Sequence, residues 1–331
     1  MLLDSVREVK NSLLRLLVRP TASCLAAAKP KTLAEAQQEE TVVGRRLVAL
    51  GVSRKGQRGY LLAVRLQART LASENLVAEI AAAARSEVEV RYVGAVDKLA
   101  APWTQQKHRP LRAGISVGHH RVTAGTIGAF AEGADGKGQF ILSNNHVLAD
   151  ENRGKRGDWI LQPGSADGGG EDDRIARLER FQRLVKGRPN LVDGALAALE
   201  EGVETAGNAW RGLGRLAGAR SGLPLLGQEV AKLGRTTGVT RGRVTAIELD
   251  GLVVSFDGGN LVFDDQLEIE GAGPGPFSAG GDSGALILDG ERFALGLLFA
   301  GSGTGGANGR GLTFANPIET VLGALRARLP T

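Results

Sequence analysis

The sequence predicts a mainly β protein, two successive β series closed by a C-terminal helix, with a small α+β module in front. Three observations carry this. Glycine supplies 48 of the 331 residues, well above the usual ~7 %. The glycines follow no collagen-like period and cluster between β-branched runs, as a chain with many tight turns requires. Beyond residue 114 the apolar runs are short and strand-like, whereas the order before residue 95 reads β-β-α-β. Apolar residues make up 42 % of the chain, which points to a folded protein rather than a disordered one, with length for two or three cores.

Taken in order, residues 1–40 form a helical segment. Leu3, Val6, Val9, Leu13, Leu16 and Leu17 recur at helical spacing until Pro20 stops the run. Residues 20–31 are a linker, and Thr32-Leu33-Ala34-Glu35 has the capping-box spacing of a second short helix. The module covers 41–95. It comprises an extended run Thr41–Val52, a turn at Arg54-Lys55-Gly56-Gln57, a second run Gly59–Gln67, a helix from about Ser73 to Arg85 capped by Ser73, and a strand Glu87–Val93. Residues 96–113, with Pro102, Trp103 and Pro110, connect it to the rest.

From 114 to 331 the pattern is all-β. The first series is Ile115–Gly118, Arg121–Phe130, Gln139–Ser143, Trp159–Gln162, Ile175–Phe181 and Leu191–Leu199. The second is Glu229–Leu233, Arg243–Leu249, Leu252–Phe256, Leu261–Ile269, Ala285–Leu288, Phe293–Phe299 and Leu312–Phe314. Asn316 as cap and Pro317 in the first turn then open a helix with Val321, Leu322, Leu325 and Leu329 on its apolar face.

The net charge of +5 divides unevenly, +9 over residues 1–120 and −4 over 121–331. A basic arm could meet nucleic acid or anionic lipid. The charges are scattered rather than clustered with aromatics, so a solvated surface is the preferred reading and nucleic acid is not expected as a partner. Cys24 is the single cysteine, so no intrachain disulfide forms, which leans towards a reducing compartment. Asp4, Arg7, Glu8, Lys10 and Arg15 interrupt the apolar core a secretion signal needs. No run approaches 18 apolar residues, so no membrane span is expected. The expected setting is cytoplasmic.

Three segments carry the chemistry: Ser143-Asn144-Asn145-His146-Val147, Leu191-Val192-Asp193-Gly194-Ala195 and Gly281-Asp282-Ser283-Gly284. Serine, histidine and aspartate together turn a weakly acidic hydroxyl into a nucleophile. They occur in the order His, Asp, Ser with gaps of 47 and 90 residues. An α/β-hydrolase runs Ser, Asp, His on Gly-x-Ser-x-Gly. Here none of His108, His119, His120 and His146 follows Ser283, and position 285 is Ala285, so that class is excluded. His146 sits where a strand ends and a loop begins, a suitable place for a general base held rigidly yet open on one side. His119 and His120 receive no role. Asp193, flanked by aliphatic and small residues, is expected to be buried and so to need a partner such as an imidazole N–H. Considered singly, the aspartate segment also reads as an Asp-Gly turn, and the serine segment as a glycine-rich hairpin.

Together these segments resemble the chymotrypsin-like serine proteases, in particular bacterial ones such as α-lytic protease and the streptogrisins. Further marks are Val230-Ala231-Lys232-Leu233-Gly234-Arg235-Thr236-Thr237-Gly238, Arg109–Gly118, Leu161-Gln162-Pro163-Gly164 and Gly296–Ser302. The resemblance covers about 110–329. Ala285 and Asn145 depart from the pattern without removing a catalytic group.

The resemblance implies a double β-barrel and a serine endopeptidase working through an acyl-enzyme, with no metal or cofactor. Ser283 would be nucleophile, His146 general acid–base and Asp193 its orienter, with the Gly281 and Ser283 N–H groups as oxyanion hole. It also implies that Lys232 or Arg235 pairs with Asp282. The floor of the specificity pocket falls on Phe277, its wall on Phe299, Ala300 and Gly301, with Asn308 beside them. An uncharged substrate side chain is then expected; a shifted register that makes Phe277 mere core is the open alternative. The expected partner is a protein or peptide substrate. The N-terminal module is expected to dock on the barrels, recruit substrate or restrain activity, with a regulatory partner as the expected contact. The rival reading is a protease-like binding scaffold that works through that basic module.

Overall fold

The computed structural model describes residues 1–14, 48–56, 59–67, 71–94 and 101–330. The chain divides into two compact units, Met1–Leu99 and Ala100–Thr331. The helix expected around Thr32, the start of the run at Thr41 and Cys24 lie outside the described residues, as does the side chain of Ser73.

In the first unit, strands β1 (Val48–Lys55) and β2 (Gly59–Leu66) form an antiparallel hairpin. Strand β3 (Val88–Tyr92) returns parallel to β2 after helix α2 (Leu71–Ala83). A parallel return needs a crossover of this kind. Leu62, Val64 and Leu66, two apart on β2, are buried, as the strand period dictates. Leu76, Ile80 and Ala84, four apart, cover them together with Val6 and Leu13 of helix α1 (Leu3–Leu13). The first helix thus packs in one core with the sheet, rather than standing apart in a segment 1–40. The Met1 amino group adds an ion pair with Glu87 at 2.6 Å.

The second unit is two β bodies. The first is an eight-stranded sheet built on β4 (Ser116–His119), β5 (Gly125–Thr126), β6 (Ala129–Gly133), β7 (Phe140–Ser143), β8 (Trp159–Leu161), β9 (Arg174–Phe181) and β10 (Ala195–Leu199). The short β22 (Ala327–Arg328) pairs with the edge of β6. The sheet curls until single bonds join its ends. Gly114 N–H donates to Ile127 C=O at 2.7 Å, Ile127 N–H to Ile115 C=O at 2.8 Å, and Gly128 N–H to Leu142 C=O at 2.9 Å. Ile115, Val117, Ile141, Ile160, Ile175 and Leu178 fill its interior.

The short strands β11 (Ala209–Trp210), β12 (Gly214–Arg215) and β13 (Gly218–Ala219) lead to the second body, which is a closed ring. Strands β14 (Glu229–Gly234), β15 (Gly238–Leu249), β18 (Gln266–Gly271), β19 (Leu286–Asp289), β20 (Phe293–Gly301) and β21 (Leu312–Pro317) pair around to β20–β21. Closure removes every edge. Val230, Val244, Leu267, Ile269, Ile287 and Leu298 form its core. A third cluster joins the two bodies, with Leu142 and Leu196 from one and Leu233, Leu286 and Leu297 from the other. Ile318, Val321 and Leu325 of the C-terminal helix (Ile318–Leu325) seal it. The double-barrel architecture is therefore present as one closed barrel and one curled sheet.

Three details differ from expectation. The run Leu261–Ile269 is divided at Asp264 and Asp265 into β17 (Gly259–Phe263) and β18. The run Arg121–Phe130 is broken into β5 and β6. The C-terminal helix starts at Ile318, so Asn316 is no cap; it lies in β21 with its amide turned inward. No described helix is long and apolar enough to cross a membrane.

Candidate active site

His146 lies on a four-residue helix, Asn145–Leu148, directly after β7. The sharp exit from the strand is held from both sides. Asn144 Nδ2 donates to the Asp193 carbonyl at 2.7 Å, and Asn145 Nδ2 donates to Gln182 C=O at 2.7 Å and Asn152 Oδ1 at 2.9 Å. Both asparagines are fully buried, so these bonds satisfy amide N–H groups that would otherwise be costly to enclose, while Asn144 Oδ1 has no protein partner among the described residues.

Asp193 precedes β10 and is 0 % exposed, as its aliphatic neighbours predict. Its Oδ2 meets His146 Nδ1 at 2.5 Å, and its Oδ1 accepts the His146 backbone N–H at 3.2 Å. A carboxylate bridging ring and backbone of one residue fixes the imidazole tautomer and leaves Nε2 free to accept a proton. Burial disfavours the imidazolium. The charge and hydrogen bond of Asp193, with a contribution from Glu151, outweigh that burial and raise the His146 pKa above its ordinary value. Asp193 is itself positioned by Asn316, whose Oδ1 accepts its N–H at 3.0 Å. Asn316 Nδ2 in turn donates to Gln266 Oε1 at 2.6 Å.

Ser283 sits in a turn between Gly281 at φ +93° and Gly284 at φ +91°, a region costly for residues with a Cβ. At Gly284 a Cβ would also lie 2.1 Å from Ser143 Oγ and 2.4 Å from Thr126 O. That crowding is the seam between the two β bodies: Thr126 N–H donates to Ser283 C=O at 2.8 Å, and Thr126 Oγ1 to Gly281 C=O at 2.9 Å. Among the described residues, the N–H groups of Gly281 and Ser283 donate to no protein acceptor. Ser283 and His146 line one cleft of about 1060 Å³; no hydrogen bond joins their side chains.

Asp282 points away from the cleft into the barrel. Its carboxylate accepts from Thr236 N–H at 2.8 Å, Thr237 N–H at 3.1 Å, Thr237 Oγ1 at 2.7 Å and Ala279 N–H at 3.0 Å. Lys232 Nζ completes the set at 3.2 Å, both side chains being 0 % exposed. Lys232 also donates to Thr237 Oγ1 and to Gly238 C=O. Burial pulls the Lys232 pKa down, with Asp282 opposing it. Gly234 is needed beside this pair, since a Cβ there would lie 2.3 Å from Asp282 Oδ1.

Three expected positions are placed elsewhere. Arg235 does not reach Asp282; its Nε donates to Asp167 Oδ2 at 2.7 Å, because the 165–167 turn presents that carboxylate first. Phe277 is no pocket floor. It is 1 % exposed within the barrel core against Val230, Val244 and Ile269, while its neighbours Pro276 and Ser278 face the cleft, as alternation along an extended chain requires. Asn308 turns its Nδ2 to the carbonyls of Gly271, Gly273 and Gly275. Phe299, Ala300 and Gly301 do line the cleft, with Ser302, Arg310 and Phe314 near them. Sequence reading missed Asn316 and Gln266, since a strand-end Asn before Pro imitates a helix cap. It also missed that Glu151 and strand β16 (Leu252–Phe256) line the cleft.

No protein-family model matches the chain. No curated protein matches it either. Among solved structures, the chain is similar to Nocardiopsis protease (NAPase), at 20 % identity over 67 % of this chain and 100 % of that one, with a TM-score of 0.47. Thermobifida fusca protease A gives 19 % identity, the same coverages and a TM-score of 0.46. Cellulomonas bogoriensis chymotrypsin gives 21 % identity over 67 % and 100 %, with a TM-score of 0.45. The chemistry of the site rests on the side chains themselves.

Proposed function

We propose that the chain is a serine endopeptidase of the chymotrypsin-like kind. The observation that carries this reading is the buried Asp193 carboxylate bonded to His146 Nδ1 at 2.5 Å, opening on a cleft that also holds Ser283 beside two unbonded N–H groups. Substrate binding brings Ser283 Oγ within reach of His146 Nε2, as such bonds tighten in the complex. The hydroxyl attacks the scissile carbonyl while His146 takes its proton, and Asp193 stabilises the imidazolium. Negative charge on the carbonyl oxygen falls to the Gly281 and Ser283 N–H groups. His146 then protonates the leaving amine, and water hydrolyses the acyl-enzyme by the same path. The buried Lys232–Asp282 pair holds this turn in shape, so the oxyanion site is formed without chain cleavage.

The acidic residue of the described cleft lining is Glu151, and it is engaged by the N–H groups of Asp257 and Gly258. An uncharged substrate side chain is therefore preferred; a peptide-library profile dominated by Lys or Arg overturns that preference. The single cysteine supports an intracellular processing or regulatory role, which cell fractionation tests. The alternative of a binding scaffold is opposed by the retention of all three side chains. A fluorophosphonate probe separates the two readings: it labels the wild type and not Ser283→Ala. Failure to label the folded wild type sinks the enzyme reading.

A further inference from the structure

Strand β16 pairs with one partner only, β17 (Gly259–Phe263), and this hairpin stands outside both β bodies. Its turn is Asp257-Gly258, with Phe256 opposite Gly259 and Val253 opposite Val262. In a two-residue hairpin the closing pair exchanges hydrogen bonds and every second pair does not. Phe256, Val254 and Leu252 therefore bond to β17, while Val253 and Ser255 turn their N–H and C=O groups to the other side. The far edge of the hairpin agrees with this phase. Val262, partner of Val253, directs its carbonyl away from β16 and accepts Asn190 N–H at 2.8 Å. That edge is used. The β16 edge is not: among the described residues, no protein group bonds the N–H or C=O of Val253 or Ser255.

Unused strand edges are ordinarily short, charged or covered. This one lines the cleft that holds His146 and Ser283, together with Phe299, Ala300 and Gly301. It is also held firmly. Leu252, Val254 and Phe256 pack on the cluster of Leu184, Leu261, Phe263 and Phe299, leaving Val253 59 % exposed on the opposite face. The turn is tied to the loop after His146 through Arg153 Nη2 to Asp257 Oδ2 at 3.0 Å and Asp257 N–H to Glu151 Oε1 at 3.1 Å. The Phe256 ring meets the His146 ring edge-on at 6.0 Å between centroids. A cleft of about 1060 Å³ admits a stretch of chain rather than one side chain.

We propose that β16 is a docking edge for substrate, and that an extended peptide joins it as a further strand through the backbone groups of Val253 and Ser255. The occupant is an unfolded or loop segment of a protein, because only an extended backbone offers donors and acceptors at the strand period. Recognition by backbone leaves substrate sequence largely free at these positions. Folded surfaces and short esters cannot use the edge. The proposal rests on the protease reading for the identity of the peptide as substrate, but its binding half can be measured without catalysis.

The test uses Val253→Pro and Ser255→Pro, each of which removes one outward N–H at an edge position where proline is tolerated. In the full chain, kcat/KM is measured for a peptide series from one to six residues on the acyl side, with melting curves as a check on folding. The expected result is a loss that grows with peptide length, about tenfold greater on the longest peptide than on a single-residue ester. An equal loss on all lengths, or none, overturns the proposal. If either variant fails to fold, N-methylation of the peptide at successive positions on the wild type replaces it. An edge that pairs makes affinity fall about tenfold at positions of period two, whereas indifference at every position overturns the idea. Anisotropy of a fluorescent hexapeptide on Ser283→Ala, with and without Val253→Pro, gives the binding result even where the phosphonate probe has shown the enzyme reading to be wrong.

Discussion

Replacing Lys232 by methionine tests how the nucleophile turn is held. The change keeps side-chain volume and removes one charge from a pair in which both members are 0 % exposed. Breaking such a pair strands the remaining charge and costs about 3–5 kcal/mol. Four other donors stay on the Asp282 carboxylate, from Thr236, Thr237 and Ala279. They keep it partly solvated, so the lower end, about 3 kcal/mol, is the expected loss. For a unit spanning Ala100–Thr331, each kcal/mol moves the melting midpoint by about 2–4 °C, giving a fall of about 6–12 °C by calorimetry. Because Asp282 lies between the two N–H groups of the oxyanion site, kcat should fall by about 10²–10³ with a smaller change in KM. The double variant Lys232→Met/Asp282→Asn strands no charge and should regain at least about 1 kcal/mol of stability. A Lys232→Met protein that melts within about 2 °C of wild type with unchanged kcat refutes the reasoning.

Gly234→Ala presses a methyl group to 2.3 Å from Asp282 Oδ1, and should cost about 1–3 kcal/mol in denaturant unfolding together with turnover. The rate should rise with pH as His146 loses its proton, with a midpoint above the ordinary imidazole value because Asp193 raises it; Asp193→Asn moves that limb to lower pH and lowers kcat by about 10⁴. His146 and the buried His119 act on stability with opposite sign. His146, raised in the folded state, contributes stability that is full below about pH 6.5 and lost as pH rises through its folded value. His119 is lowered by burial despite Asp158, so its contribution is full above about pH 6.5 and lost as pH falls towards its folded value. Unfolding measured against pH should therefore lose the part of its slope just below about pH 6.5 in His119→Gln and keep it in His146→Gln.

The sequence made the site more legible than the pocket, for a physical reason. His146, Asp193 and Ser283 each need a local backbone setting, namely a strand end, a buried aliphatic run and a glycine turn, and such settings leave marks within a few residues. Lys232 was likewise visible, because the Gly-Arg-Thr-Thr-Gly turn after it is itself local. Phe277 and Arg235 show the limit. Whether residue 277 faces barrel or cleft is a matter of phase along an extended stretch, and one step exchanges Phe277 for Ser278. Arg235 pairs with Asp167, 68 residues away, and that partner left no trace in its own segment. Strand β16 was read correctly as a strand, but its unused edge is a property of what fails to pair with it.

Asn316 explains how residues so far apart in the chain stay in register. The His146–Asp193 pair belongs to the curled sheet, whereas Ser283 belongs to the closed barrel, so any sliding between the two bodies would separate the proposed base from the proposed nucleophile. Apolar contacts across the seam resist separation but fix direction poorly, being non-directional. Hydrogen bonds between buried groups supply direction, because a displaced partner leaves both groups unsatisfied. Asn316 stands on β21 of the barrel and receives the Asp193 N–H at 3.0 Å, while its own Nδ2 is held by Gln266 on β18. Thr126, from the curled sheet, reaches back to the Ser283 and Gly281 carbonyls. Each body thus holds backbone at the other's proposed triad residue, and Asp193 N–H, Thr126 N–H and Thr126 Oγ1 all donate from the curled sheet to acceptors of the barrel, which ties His146 to Ser283 in direction as well as distance.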